Sequence, residues 1–215
     1  SFGLSWFKGF GLVSNYIDLN FDSAFIKTSV FFLFFYLINF IIFTPFSYYS
    51  TFYVEEKYGF NKTTIKTFFL DKIKSIALSL LIGGTLLFLA MFVLDLFEKG
   101  YWIYLWIGLS AFAVFLNMFY AQLIVPIFNK LTPLDNGLLR EKIEKYADQV
   151  GYSLKNIFVI DGSKRSTKAN AFFSGLGPKK TIALYDTLIE KHSDEELVAV
   201  LAHEVGHFKK KHILF

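Results

Sequence analysis

Residues 75–94 read SIALSLLIGGTLLFLAMFVL, without a charged side chain. A helix of this length rises about 30 Å, the thickness of a bilayer's hydrocarbon core. Two further charge-free runs lie on either side, Thr28–Val54 and Gly100–Phe128. The alternative is a large soluble core, but buried core helices rarely run so far without a charge. Membrane spans are therefore expected at 25–46, 76–97 and 102–125. Tyr48, Tyr49, Tyr53, Tyr101, Trp102 and Tyr104 sit at their ends, where amphipathic rings suit the membrane interface. Pro45 and Pro126 are expected to end two of them.

Composition agrees. Of the 215 residues 54% are hydrophobic, 28 are Phe, and mean hydropathy is +0.44. That excludes a disordered chain and a disulfide-stapled module, since there is no cysteine. The net charge of +4 comes without a basic stripe or recognition motif, so no nucleic-acid partner is expected. Residues 1–22 lack the basic and apolar regions of a signal peptide. The chain opens at Ser1 without Met and stops at Phe215 within an apolar stretch, so it reads as an internal fragment.

Charge sets the orientation. Lys57, Lys62, Lys66, Lys72 and Lys74 crowd residues 55–74, whereas the turn between the next two runs holds only Lys99 and residues 1–22 only Lys8. Lys and Arg stay preferentially on the cytoplasmic side. Residues 55–74 are thus expected as a cytoplasmic loop, and the chain should re-emerge there after Val125.

From Asn129 the character changes: residues 130–215 hold 14 of the 22 basic and 11 of the 18 acidic side chains. Residues 135–150 have the spacing of an amphipathic helix, with Leu139, Ile143, Tyr146, Ala147 and Val150 on one side and Gly151 as its stop. Extended segments are expected at 155–160, at 170–174 bounded by Gly175 and Gly177, and at 181–184, with a short helix over 186–191. Ser193 and Glu196 form a capping box before a helix running from Asp194 to about His212. Leu197, Val198, Leu201, Val205 and Phe208 are its expected apolar contacts, and Lys209, Lys210 and Lys211 favour its C-terminal dipole.

Inside that helix stands His203-Glu204-Val205-Gly206-His207. Two His four apart share a helical face and can grip one Zn²⁺. Glu204 is rotated about 100° from His203, beside such an ion without ligating it. A metal there acidifies a water, and Glu204 can take its proton and pass it to a leaving amine. The chemistry is peptide-bond hydrolysis. The alternatives are a surface helix with incidental histidines and, less favoured, a metal site without hydrolysis. His192 and His212 fit no ligand geometry and are expected solvated or interfacial. A catalytic zinc usually needs a third protein ligand; an upstream carboxylate could serve, but the ligand is expected beyond Phe215, so the chain alone is expected to be inactive.

The string Val200–Lys209 resembles the zinc helix of the type I CAAX prenyl proteases. So do Tyr58–Lys62 with Phe68, Phe69 and Asp71–Lys74, then Pro126–Leu134, Asp161–Ser166 and Asn170–Phe173. The resemblance covers about residues 50–212. It implies a mainly α, multi-pass α-helical membrane protein with a small α/β zinc metallopeptidase domain. Residues 1–128 would be the transmembrane region. Residues 129–215 would be a cytoplasmic metallopeptidase domain, cut off after its zinc helix. The resemblance also implies His203 and His207 as ligands, Glu204 as base, and Asn170, Ala171 and Phe172 as a substrate-lining segment, with a turn or strand-end residue the equal alternative for Asn170. It implies cleavage of the C-terminal tripeptide after a prenylated cysteine, in a bacterial inner membrane or the endoplasmic reticulum. The expected partners are the bilayer and a peptide or protein substrate, prenylated at its C-terminal CAAX or not. Lys164 and Arg165 could attract a carboxylate, but a solvated loop is the expectation. Rival readings are a membrane quality-control zinc protease with the same motif, which leaves the Lys-rich loop unexplained, and a non-enzymatic membrane scaffold or transporter.

Overall fold

A computed structural model describes residues 8–151, 154–174 and 180–209, with the backbone alone for Lys155, Phe173, Ser174, Lys180, Glu204, His207, Phe208 and Lys209. Gly175, Gly177, Lys210, Lys211 and His212, named above, lie outside the described residues. The chain forms two compact units, Ser1–Val54 with Ser75–Ile107, and Glu55–Lys74 with Gly108–Phe215.

The first unit opens with a helix the sequence did not announce, α1 (Gly9–Asn20). It is held to the next helix, α2 (Ala24–Tyr49), by an Asp18–Lys27 ion pair at 3.1 Å and by the Phe10 and Phe35 rings, 4.8 Å apart. Pro45 does not end α2 as expected. It lies inside, and the chain continues through a π-helical stretch, Ser50–Glu55. Proline removes one backbone donor, but leaving the helix at membrane depth would expose several more polar groups to hydrocarbon.

The following helix, α3 (Ile65–Leu96), starts well before the expected residue 76. Thr64 caps it: its Oγ1 accepts the Thr67 N–H at 3.1 Å. The charges that mark residues 66–74 as outside the hydrocarbon are compatible with a helix, so half of the expected loop is helical. Next come α4 (Tyr101–Leu123) and, after a break at Ile124, the single turn α5 (Val125–Phe128), with Pro126 in its first turn. Three segments, Ala24–Glu55, Ile65–Leu96 and Tyr101–Phe128, are long and apolar enough to cross a membrane. Their most apolar windows are 0%, 0% and 11% buried within the protein, so their side chains are left to lipid or to other helices.

The second unit carries a four-stranded sheet. In chain order its elements are β1 (Leu131–Pro133), α6 (Leu138–Gln149), β2 (Leu154–Ile160), a 3₁₀ turn (Gly162–Lys164), β3 (Ala171–Ser174), β4 (Lys180–Tyr185), α7 (Asp186–Lys191) and α8 (Asp194–Lys209). Spatial order is β1-β2-β4-β3; β2 and β4 run parallel, and the outer strands pair antiparallel. β1 was not expected. It holds Pro133 because an edge strand can spare the N–H. Strand alternation divides the core. On one face Ile157, Ile182 and Leu184 pack with Ile143 and Ala147 of α6, Leu188 of α7, and Leu197, Leu201 and Val205 of α8. On the other, Ile160 and Ala183 pack with Val125 of α5. α6 stops as expected, with Gly151 at φ +62°, a conformation in which a side chain is strained.

Candidate active site

α8 begins with the expected capping box. The Ser193 N–H donates to Glu196 Oε2 at 2.9 Å, and the Glu196 N–H reaches back to Ser193 Oγ at 3.4 Å. The bond from the Ser193 backbone holds the Glu196 carboxyl below the usual carboxylate range. Lys142 of α6 joins the first turn, donating to Glu195 Oε1 at 2.7 Å and Asp194 Oδ2 at 3.2 Å. Its hydrogen bond lowers Glu195, and the Glu195 bond raises Lys142. His192 faces Glu196 across 3.5 Å and is half-exposed, consistent with its solvated reading.

The stripe Leu197, Leu201 and Val205 is 2%, 3% and 1% exposed, which fixes how α8 is rotated. Residues two places further on are about 200° around the helix. Positions 203 and 207 therefore fall on the side away from the core, one turn apart, and the His203 imidazole is exposed. The side chains of Glu204 and His207 are outside the description; their backbone is helical. Imidazoles spaced by one helical turn are a donor set that suits zinc, so the residue types present fit the metal. Among the described residues no group of three or more His, Cys, Asp or Glu is placed to hold a metal ion.

Asn170, Ala171 and Phe172 lead into and begin β3, the edge strand. The Asn170 carbonyl accepts the Tyr185 N–H at 3.0 Å, and Ala171 and Phe172 lie opposite Leu184 and Ala183. Ala171 packs on the α8 side of the sheet and Phe172 on the other, edge-on to Tyr120 at 5.7 Å. On Phe172's side opens a cleft of about 540 Å³, lined by Tyr120, Ile124, Phe128, Asn129, Asn170 and Tyr185 among others. Burial, then the neighbouring Tyr120, pushes the Tyr185 phenol up, so it stays a hydrogen-bond donor at neutral pH. Gly162 is packed so closely on the Tyr185 ring that a Cβ there would collide with it.

Arg165 is not in a solvated loop. Its Nε and Nη2 grip both oxygens of Asp71 at 2.8 and 3.0 Å, Nη1 donates to Asn129 Oδ1 at 2.8 Å, and Nη2 also reaches the Phe128 carbonyl. Around it the Lys62 N–H donates to the Arg165 carbonyl, and the Thr167 N–H donates to the Phe60 carbonyl, both at 3.0 Å. The segments 60–63, 128–130 and 161–168 are thereby brought together. Each overlaps a stretch carrying the family resemblance, which was the available signal; their mutual bonding was not visible in the sequence.

A model of the N-terminal region of CAAX prenyl proteases, with five membrane helices, matches residues 1–130, and the model of peptidase family M48 matches residues 133–215. The chain belongs to the CAAX prenyl protease family. CAAX prenyl protease 1 of Saccharomyces cerevisiae is 46% identical over 171 residues, covering 79% of this chain and 38% of that protein. The human CAAX prenyl protease 1 homolog is 33% identical over 205 residues, covering 78% and 43%. The crystal structure of Ste24p from S. mikatae superposes with a TM-score of 0.89 at 38% identity, covering 98% of this chain and 51% of that one. The chain thus spans less than half the length of these curated relatives. As in that family, it is a mainly helical, multi-pass membrane protein with a small α/β peptidase unit, and membership of a metallopeptidase family implies a metal.

Proposed function

We propose that this chain contributes the zinc helix and the substrate-binding sheet edge of a membrane zinc endopeptidase that removes the C-terminal tripeptide from prenylated CAAX proteins. The observation that carries the reading is the rotation of α8. Its buried stripe turns positions 203 and 207 outward, in a chain whose relatives are named CAAX prenyl proteases. His203 and His207 hold the metal, with a third ligand supplied from beyond residue 215. Zinc, when bound, supplies Lewis acidity that polarises the scissile carbonyl and makes a water easier to deprotonate. Glu204 accepts that proton and returns it to the departing amine. The open side of β3 offers backbone N–H and C=O groups to an extended peptide, with Asn170, Ala171 and Phe172 lying along it. Residues 129–215 form the peptidase domain, on the cytoplasmic side, as the lysines of residues 55–74 favour. A prenyl tail gains about 0.8 kcal/mol per CH₂ from apolar surroundings, which suits an enzyme held in the bilayer that must accept both the lipid and the adjoining peptide.

The test is full-length protein given a farnesylated CAAX peptide. Wild type should release the tripeptide and lose activity to a chelator. Glu204→Gln should keep zinc and lose at least about 10²-fold in kcat. A Glu204→Gln protein that cleaves normally, or a wild type that binds no zinc, removes the assignment.

A further inference from the structure

Arg165 makes more contacts than neutralising Asp71 requires. The guanidinium lies 2.8 Å from Asp71, and both side chains are about four-fifths buried, at 21% and 23% exposed. A lysine could satisfy that carboxylate as a point charge. The fork does something further: its remaining donors hold Asn129 Oδ1 and the Phe128 carbonyl, two residues in one wall of the cleft beside β3. Asp71 belongs to the first turns of α3, so the clamp ties that wall to the base of a membrane helix. The Lys62 N–H and the Thr63 hydroxyl, bound to the Arg165 carbonyl at 3.0 and 3.1 Å, fix the clamp from behind. α8 is anchored separately, by its apolar stripe on the opposite face of the sheet.

We propose that Arg165 is a positioning residue for substrate: it sets the Phe128–Asn129 wall of the cleft through a bidentate hold on Asp71, and so governs peptide binding without touching the zinc helix. This rests on the proposal that peptide binds along β3. Loss of the fork frees the wall, binding weakens, and chemistry at the zinc helix continues. That is the pattern of raised KM with kcat retained.

The experiment compares full-length wild type, Arg165→Lys, Asp71→Asn and the exchanged pair Asp71→Arg/Arg165→Asp. The substrate is a farnesylated CAAX peptide, and amide hydrogen exchange is followed over residues 128–131. Arg165→Lys should raise KM about tenfold, as losing a charged hydrogen bond does, with kcat and zinc content held. Exchange at 128–131 should quicken. Asp71→Asn, which keeps an acceptor and the shape, should show the same change in smaller measure and covers the case in which Arg165→Lys folds poorly. The exchanged pair should recover thermal stability but not KM, because an arginine at 71 leaves Phe128 and Asn129 unheld. A KM restored by the exchange would reduce Arg165 to an ion-pair partner and overturn the proposal. So would unchanged exchange at 128–131, a readout that decides the clamp even if wild type leaves the peptide intact and the function reading fails.

Discussion

Leu201 stands two residues before His203, and its burial is what turns that histidine outward. Truncating it would leave a cavity among Ile143, Ile157 and Leu197 that the sheet cannot fully close. Leu201→Ala should cost about 2–5 kcal/mol, read as a lower Tm and a smaller zinc-loaded fraction, while each loaded molecule turns over as before. An unchanged Tm would mean that something other than this stripe orients α8. At the same scale, His203, Glu204 and His207 stand out in the sequence as the proposed ligands and base, because chemistry restricts which side chains can do that work and the two histidines are one helical turn apart. Arg165 was not. A lone arginine in a polar loop has no periodic signature, and its partners lie 36 and 94 positions away.

Between elements, α6 and α8 are joined at their polar edge by Lys142 with Glu195 and Asp194. The Glu195 and Glu196 carboxyls are lowered, so each stabilises the fold above the usual carboxylate range and stops doing so as pH falls through its folded value below that range. Lys142 is raised, so its contribution holds below the usual lysine range and fades only above it. The junction should therefore be indifferent to pH between mild acid and mild alkali. NMR titration of the carboxyl carbons should place both midpoints below the usual value. Lys142→Ala should raise Glu195 towards it, short of the usual value because its own backbone N–H still lowers it, and leave Glu196 low, because Glu196 is held by the Ser193 N–H. A Glu195 midpoint indifferent to Lys142→Ala would show that the bridge is not formed in solution. The capping box, α6 and α8 were readable from local pattern. β1 was not, since three residues carry too little alternation and pairing with β2 across 27 positions decides it.

Across the whole chain, residues 60–63 touch residues 165–167, so both lie on one side of the bilayer. The two helices between them, α3 and α4, agree, since an even number of crossings returns the chain to its starting side. The lysine bias favours the cytoplasm for that side, as proposed above. The chain has no cysteine, so single introduced cysteines give a clean readout. Lys57→Cys should react with an impermeant maleimide from the cytoplasmic face alone, and Lys99→Cys only from the other. Reaction of both from one face would mean that α3 does not cross.

The sequence by itself determined the three membrane helices, the zinc-type motif and the capped helix that carries it. Each is written in near neighbours, through hydrophobic run length, helical period or capping chemistry. Only the tertiary structure decided which way α8 faces, that β3 is an edge strand among the described residues, and that Arg165 clamps Asp71 to the cleft wall. Those depend on contacts between residues far apart in the chain, and no local pattern specifies which of many possible partners the folded backbone will bring within reach.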